Sequence, residues 1–154
     1  MFAERMMMLL IDALKCKRYM REYHVDEEKI RQFVQEYRLD PTKRIGEIIL
    51  AEQWLFKKSI LGDCLLPVEE VVRVDLYGAP KREETMIIDG AFTTITVPAD
   101  FRIKVRFCNG AAITVPCAGN PDRAMGMFAQ HCPQAKFGHH EHRENLYDKK
   151  GVYP

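Results

Sequence analysis

The densest set of metal-capable side chains in the chain is Gly138-His139-His140-Glu141-His142-Arg143-Glu144. Imidazole and carboxylate donors suit zinc or nickel. On a helix His139 and His142 would share a face, and so would His140 and Glu144. The run is not the H-E-x-x-H pattern of a zinc hydrolase, and a third ligand would have to come from elsewhere, with His131 and Cys132 the nearest choices. A surface helix bearing several histidines is the plainer expectation. No metal and no other cofactor is therefore expected, with His139, His140 and His142 as the candidates that would overturn this.

Nucleophilic catalysis needs a thiol or hydroxyl beside a base. His131-Cys132 is the one sequence-adjacent pair, but neighbours on a helix point about 100° apart. The five cysteines, Cys16, Cys64, Cys108, Cys117 and Cys132, form no C-x-x-C motif. Cys64, Cys108 and Cys117 read as small buried hydrophobes. No glycine-rich phosphate loop is present. No catalytic residue is assigned, and the chain is expected to be a non-enzyme.

Two surface features suggest binding instead. Arg102, Lys104 and Arg106 alternate along one strand, about 6.7 Å apart, in a line suited to phosphates or an acidic partner. Their simplest reading is the solvated face of a half-buried sheet. Met6-Met7-Met8 and the following Leu9-Leu10-Ile11 make the first helical turns apolar nearly all round, more than one buried face requires. The body of the same chain or a second copy would cover the excess, so Met6, Met7, Met8 and Ile11 join Arg102, Lys104 and Arg106 as candidate partner-binding residues. Anionic lipid or nucleic acid is a further option for the cationic row. Tyr19 and Tyr23 alone supply too few aromatics for base stacking.

The elements that position these residues belong to a chain of 154 residues, 47% hydrophobic and 29% charged, with a formal charge of +1. That composition excludes a disordered chain, a collagen-like repeat and a disulfide-knotted miniprotein. Neither side of residue 60 is strongly charged, so the footprint of a nucleic-acid binder is missing. The apolar run Met6 to Ile11, flanked by Glu4 and Asp12, is shorter than a secretory core, and nothing approaches the roughly 20 apolar residues of a membrane span. Free thiols then point to the cytoplasm.

Phe2, Met6, Leu9, Leu10, Ala13, Leu14 and Met20 recur at helical spacing. Asp26 caps a second helix, Val25 can staple against Ile30, and Leu39-Asp40-Pro41 stops it. Residues 1–42 thus predict a helical-hairpin extension. Strands follow: bursts at 48–50 and 54–56, Cys64 to Pro67, Val71 to Tyr77, and then Thr85 to Ile88 and Thr93 to Val97 around Asp89-Gly90. Phe101, Ile103, Val105 and Phe107 alternate against the three cations. The apolar pattern requires a three-residue loop with Gly110 left-handed, so that Val105 faces Ile113 and Ile103 faces Val115. Asn120 and Pro121 start a helix over 120–131, Cys132-Pro133 ends it, and a short helix is predicted from His139 through Tyr147.

A Trp-bearing strand, the run Leu66-Pro67-Val68-Glu69-Glu70-Val71, several antiparallel strands and one amphipathic closing helix resemble bacterial pleckstrin-homology-like domains, and the Phe137-Gly138 ending resembles small uncharacterised members from Gram-positive bacteria. The resemblance covers about 45–148, with 149–154 as a tail. It implies an α+β fold in which a bent antiparallel sheet, or partly open barrel, is capped by the C-terminal helix. It also implies a binding or assembly role, through protein contacts or self-association, with no shared catalytic residues. A metal-binding protein centred on His139, His140 and His142 is the alternative.

Overall fold

A computed structural model of the chain describes residues 2–59, 61–117 and 119–140. Among the described residues the architecture is α+β, with three α-helices and three sheets, none closed into a barrel. Helix α1 (Phe2–Glu22) ends in a turn through His24, whose φ is 55°. Helix α2 (Glu27–Tyr37) starts where the Asp26 side chain accepts the Lys29 backbone N–H at 2.9 Å. Val25 is buried and shares a cluster with Ile30, as the staple requires.

The first sheet is an antiparallel meander of β1 (Arg44–Ile45), β2 (Ile48–Ala51), β3 (Trp54–Lys57) and β4 (Cys64–Pro67). Both of its faces are covered. Ile48, Leu50, Leu55 and Leu66 enter the main core, while Ile49, Ala51, Phe56 and Leu65 meet Phe33 and its neighbours on α2. A strand buried on both sides has no polar face to alternate with, which is why 48–50 and 54–56 are uninterrupted apolar bursts.

The second sheet has the order β10-β5-β8-β9, from β5 (Val71–Ala79), β8 (Asp100–Phe107), β9 (Ala112–Pro116) and β10 (Lys136–His140). One face supplies Val74, Leu76, Ile103, Val105, Ile113 and Val115 to the main core. Helix α3 (Pro121–His131) adds Ala124 and Phe128, and its cap is the one expected: Asn120 accepts the Asp122 N–H, with Pro121 at the first position. Between β5 and β8 the chain makes a separate hairpin of β6 (Arg82–Ile88) and β7 (Ala91–Val97), turned by Asp89 and Gly90 at φ 51° and 81°.

The β8–β9 register is the three-residue one. Val105 faces Ile113, Ile103 faces Val115, Gly110 has φ 86°, and the Phe107 N–H donates to the Ala111 carbonyl at 2.9 Å. One expectation is corrected. His139 and His140, the start of the predicted last helix, belong to strand β10 (Lys136–His140), paired parallel to β5. Backbone pairing at an open sheet edge overrides the helical spacing of the histidines; 141–147 lie outside the described residues. Residues 1–42 also share cores with the sheets, through Cys16 and Tyr19 of α1 and Phe33 of α2. No helix among the described residues is long and apolar enough to cross a membrane.

Candidate functional site

The second face of the second sheet carries the site. Alternation along β5 turns Val74 and Leu76 into the core and leaves Arg73, Asp75 and Tyr77 opposite. A register shift between Val71 and Arg73 puts Val71 on the core side as well. Cross-strand pairing then sets Arg73 beside Arg106, Asp75 beside Lys104 and Tyr77 beside Arg102. From β10, Gly138 lies beside Asp75 and His140 beside Tyr77.

Asp75 is fully buried, and its carboxylate organises the group. Arg73 Nε donates to Oδ1 at 3.0 Å and to Oδ2 at 2.8 Å, and His140 Nε2 lies 3.1 Å from Oδ1. The His140 ring stacks on Tyr77, with centroids 4.6 Å apart and planes 16° from parallel. Gly138 makes this approach feasible. A Cβ there would stand 2.5 Å from Asp75 Oδ1 and 2.9 Å from Arg73 Nη2. At the end of β5, Gly78 has φ 122°, and a Cβ would stand 1.8 Å from the Asp100 carbonyl oxygen.

The three cations of β8 are not a solvated row. Lys104 is 6% exposed, and Arg102 and Arg106 are half-buried. Burial, followed by the neighbouring Arg106 charge, pushes Lys104 down to about 8, against which Asp12 and Asp75 act. Asp12 reaches in from α1, where its Oδ1 accepts the Ala112 N–H of edge strand β9 at 3.2 Å. Burial raises its carboxyl above the usual range despite that hydrogen bond. The expectation of a water-facing strand failed because it considered β8 alone. Strand β10 and helix α1 flank this face, and β5 contributes a buried carboxylate to it.

The histidine cluster does not assemble as drawn. Consecutive strand residues point to opposite faces, so His140 joins Asp75 while His139 lies near Phe101, with ring centroids 6.5 Å apart. His142 lies outside the described residues. Among the described residues no group of three or more His, Cys, Asp or Glu is placed to hold a metal. His131 Nδ1 lies 3.0 Å from the Met127 carbonyl oxygen, and Cys132 is buried with its thiol pushed up to about 11. That is the opposite of an activated nucleophile. Cys108 is exposed in the β8–β9 loop, against the expectation of a buried hydrophobe; its neighbour Phe107 and Ala111 of the same loop take the core positions. Cys64 and Cys117 are buried as expected.

Helix α1 itself divides into two halves. From Cys16 to Met20 it is anchored: Tyr19 packs edge-on against Phe107, and Lys15 and Asn109 tie it to the β8–β9 loop. Before that, Met6, Met7, Leu9, Leu10, Ile11 and Leu14 are all exposed, Met7 by 59%, while Met8 is partly covered.

No site role was legible in the sequence for Arg73, Asp75, Tyr77 and Gly138. The signal for three of them was available: Arg73-Val74-Asp75-Leu76-Tyr77 alternates as regularly as the strand at 101–107. No family model matches the chain, and no curated protein or solved structure matches it significantly.

Proposed function

We propose that the chain is a non-catalytic assembly module that pairs with a second copy of itself through the first half of α1. The observation that carries this is the exposure of Met6, Met7, Leu9, Leu10, Ile11 and Leu14 on consecutive turns of one helix whose second half is locked to both sheets. Contiguous exposed apolar patches on monomers are uncommon and often functional. An apolar stripe on a firmly mounted helix is self-complementary about a two-fold axis, which is the commonest way chains associate. Met at two of the positions suits a surface that repacks on contact.

The pleckstrin-homology-like reading of 45–148 belongs to the same proposal. Antiparallel strands β1–β9 followed by helix α3 support it, and β10, returning beside β5 after the helix, is an addition to that order. Four of the five thiols are raised, and Cys64, which a hydrogen bond from Cys16 lowers, is buried.

Light scattering on the full chain tests the pairing. A dimer is expected, and Leu10→Glu, which places a charge in the exposed stripe, converts it to a monomer with unchanged circular dichroism. A parent chain that is monomeric at high concentration would sink the proposal. So would a dimer indifferent to Leu10→Glu and Met7→Glu.

A further inference from the structure

We propose that Cys16 of α1 and Cys64 of β4 are a site of reversible oxidation, which a peroxide converts to a disulfide that staples the helix to the first sheet. The two thiols are in hydrogen-bond contact where α1 packs on β4, with the Cys16 S–H donating to the Cys64 sulfur. Both belong to the main core, Cys16 2% and Cys64 7% exposed. The junction is fixed on either side of them. One turn further along α1, Met20 Sδ accepts the Leu65 N–H at 3.5 Å. Lys17 lies against the approach to β4, where a Cβ added to Gly62 would stand 3.5 Å from Lys17 Cε. Contacts around the pair thus hold α1 on β4 with the two sulfurs together. Closing the bond takes them from hydrogen-bond contact to about 2.05 Å.

The two thiols are unequal, as an attacking and a resolving cysteine must be. The hydrogen bond from Cys16 holds the Cys64 thiol below the usual range against the cost of burial, and Lys57 and Lys17 act in the same direction. Lys57 is the cross-strand partner of Cys64. The same hydrogen bond raises Cys16, which stays a thiol. Cys64 is therefore the sulfur that attacks. It takes one oxygen of hydrogen peroxide, the O–O bond breaks, and the released hydroxide recovers the proton that Cys64 gave up, leaving as water. Cys64 is now a sulfenic acid. The Cys16 sulfur attacks the Cys64 sulfur, the S–O bond breaks, and hydroxide leaves with the Cys16 proton as a second water. Two thiols have passed two electrons to the peroxide. Access selects the oxidant. Cys64 opens β4 directly after exposed Gly62 and Asp63, an approach for a molecule of peroxide size, whereas a bulky reagent meets exposed Cys108 first. The site is independent of the pairing through the first half of α1.

The experiment uses the full chain carrying Cys108→Ser, which removes the one exposed thiol among the five and with it cross-links between chains. Reduced protein is treated with hydrogen peroxide, the remaining thiols are alkylated, and the peptides are read by mass spectrometry. Free thiols fall from the four left by that substitution to two, one cross-link joins Cys16 to Cys64, and dithiothreitol restores all four. The oxidised chain melts about 5–10 °C above the reduced one, because the cross-link restricts the unfolded chain. Cys64→Ala, with unchanged circular dichroism, loses both the cross-link and the shift, and Cys117→Ala keeps both. Thiols that all stay free in the folded chain would overturn the proposal, as would a cross-link that forms only in urea. So would oxidation that halts at a sulfinic acid on Cys64 with Cys16 unreacted, or a cross-linked chain that melts no higher than the reduced one. Light scattering on the same samples reads the pairing separately, since the cross-link forms in a monomer as in a dimer.

Discussion

The two four-stranded sheets solve the same problem in opposite ways. Both must cover two faces. The first does so with apolar side chains throughout, one face against the main core and the other under α2. The second gives one face to the main core and fills the other with Asp75, Lys104, His140 and three arginines, several of them nearly or fully buried. Burying charge costs more than burying hydrocarbon, and a polar face replaced by well-packed apolar groups is commonly no less stable. A fold that needed only stability had the first sheet as its solution. The second sheet's charged face is where stability has been given up for something else, and the differences below measure how much.

The largest effect belongs to the apolar sheet. Phe56 is buried between the first sheet and α2, its ring 6.4 Å from that of Phe33. Phe56→Ala leaves a cavity that the sheet cannot collapse into, and costs about 3–5 kcal/mol of unfolding free energy in urea. A loss below about 1 kcal/mol would mean that α2 is loosely seated. The first sheet would then not be the tightly packed one.

The charged face responds in the opposite direction. Lys104 titrates near 8 when folded, against an ordinary 10.5, so the folded state disfavours its charge. Between those values the unfolded chain binds the extra proton, and the contribution to stability rises with pH across that window. Below about 8 the cost is present in full, on the order of 3 kcal/mol for a shift of this size. Cysteines and tyrosines titrate in the same range, so the measurement is the difference between the parent and Lys104→Met. Methionine removes the charge, so the variant is the more stable at pH 7, and its advantage shrinks as the pH approaches 10.5. A difference flat across that range would show that Lys104 is not strained by its surroundings.

What the sequence revealed follows the same division. Patterns confined to one segment or to neighbouring ones were legible: the Asp26 and Asn120 caps, the limits of α3, and the β8–β9 register, which the alternation of 101–107 decides together with Ile113 and Val115 across the loop. Patterns that depend on distant segments were not. Nothing within His139–Tyr147 shows that β5 offers an open edge, so the strand residues His139 and His140 were taken for the start of a helix. Nothing within 101–107 shows that Asp75, His140 and Asp12 come to stand around Lys104, so a covered face was taken for a solvated one. The apolar excess at Met6 to Ile11 was visible because it is local, and in the structure much of it does stay exposed.

The smallest of these effects is the most discriminating. Asp75→Asn keeps the shape and the acceptor oxygen at Oδ1 but removes the negative charge that Arg73 and His140 approach. The amide nitrogen replaces the oxygen 2.8 Å from Arg73 Nε with a donor, so one of the two contacts is lost outright. A hydrogen bond to a charged group contributes about 1.5–3 kcal/mol, so a loss near 2 kcal/mol is expected in urea unfolding. The pairing on the other strands sharpens the test. With Asp75 neutral, Lys104 loses one of the two carboxylates that favour its charge and titrates lower still, so Asp75→Asn made in the Lys104→Met background costs less than in the parent. Equal costs in the two backgrounds would mean that Asp75 serves Arg73 and His140 alone, and that the cations of β8 are arranged independently of it.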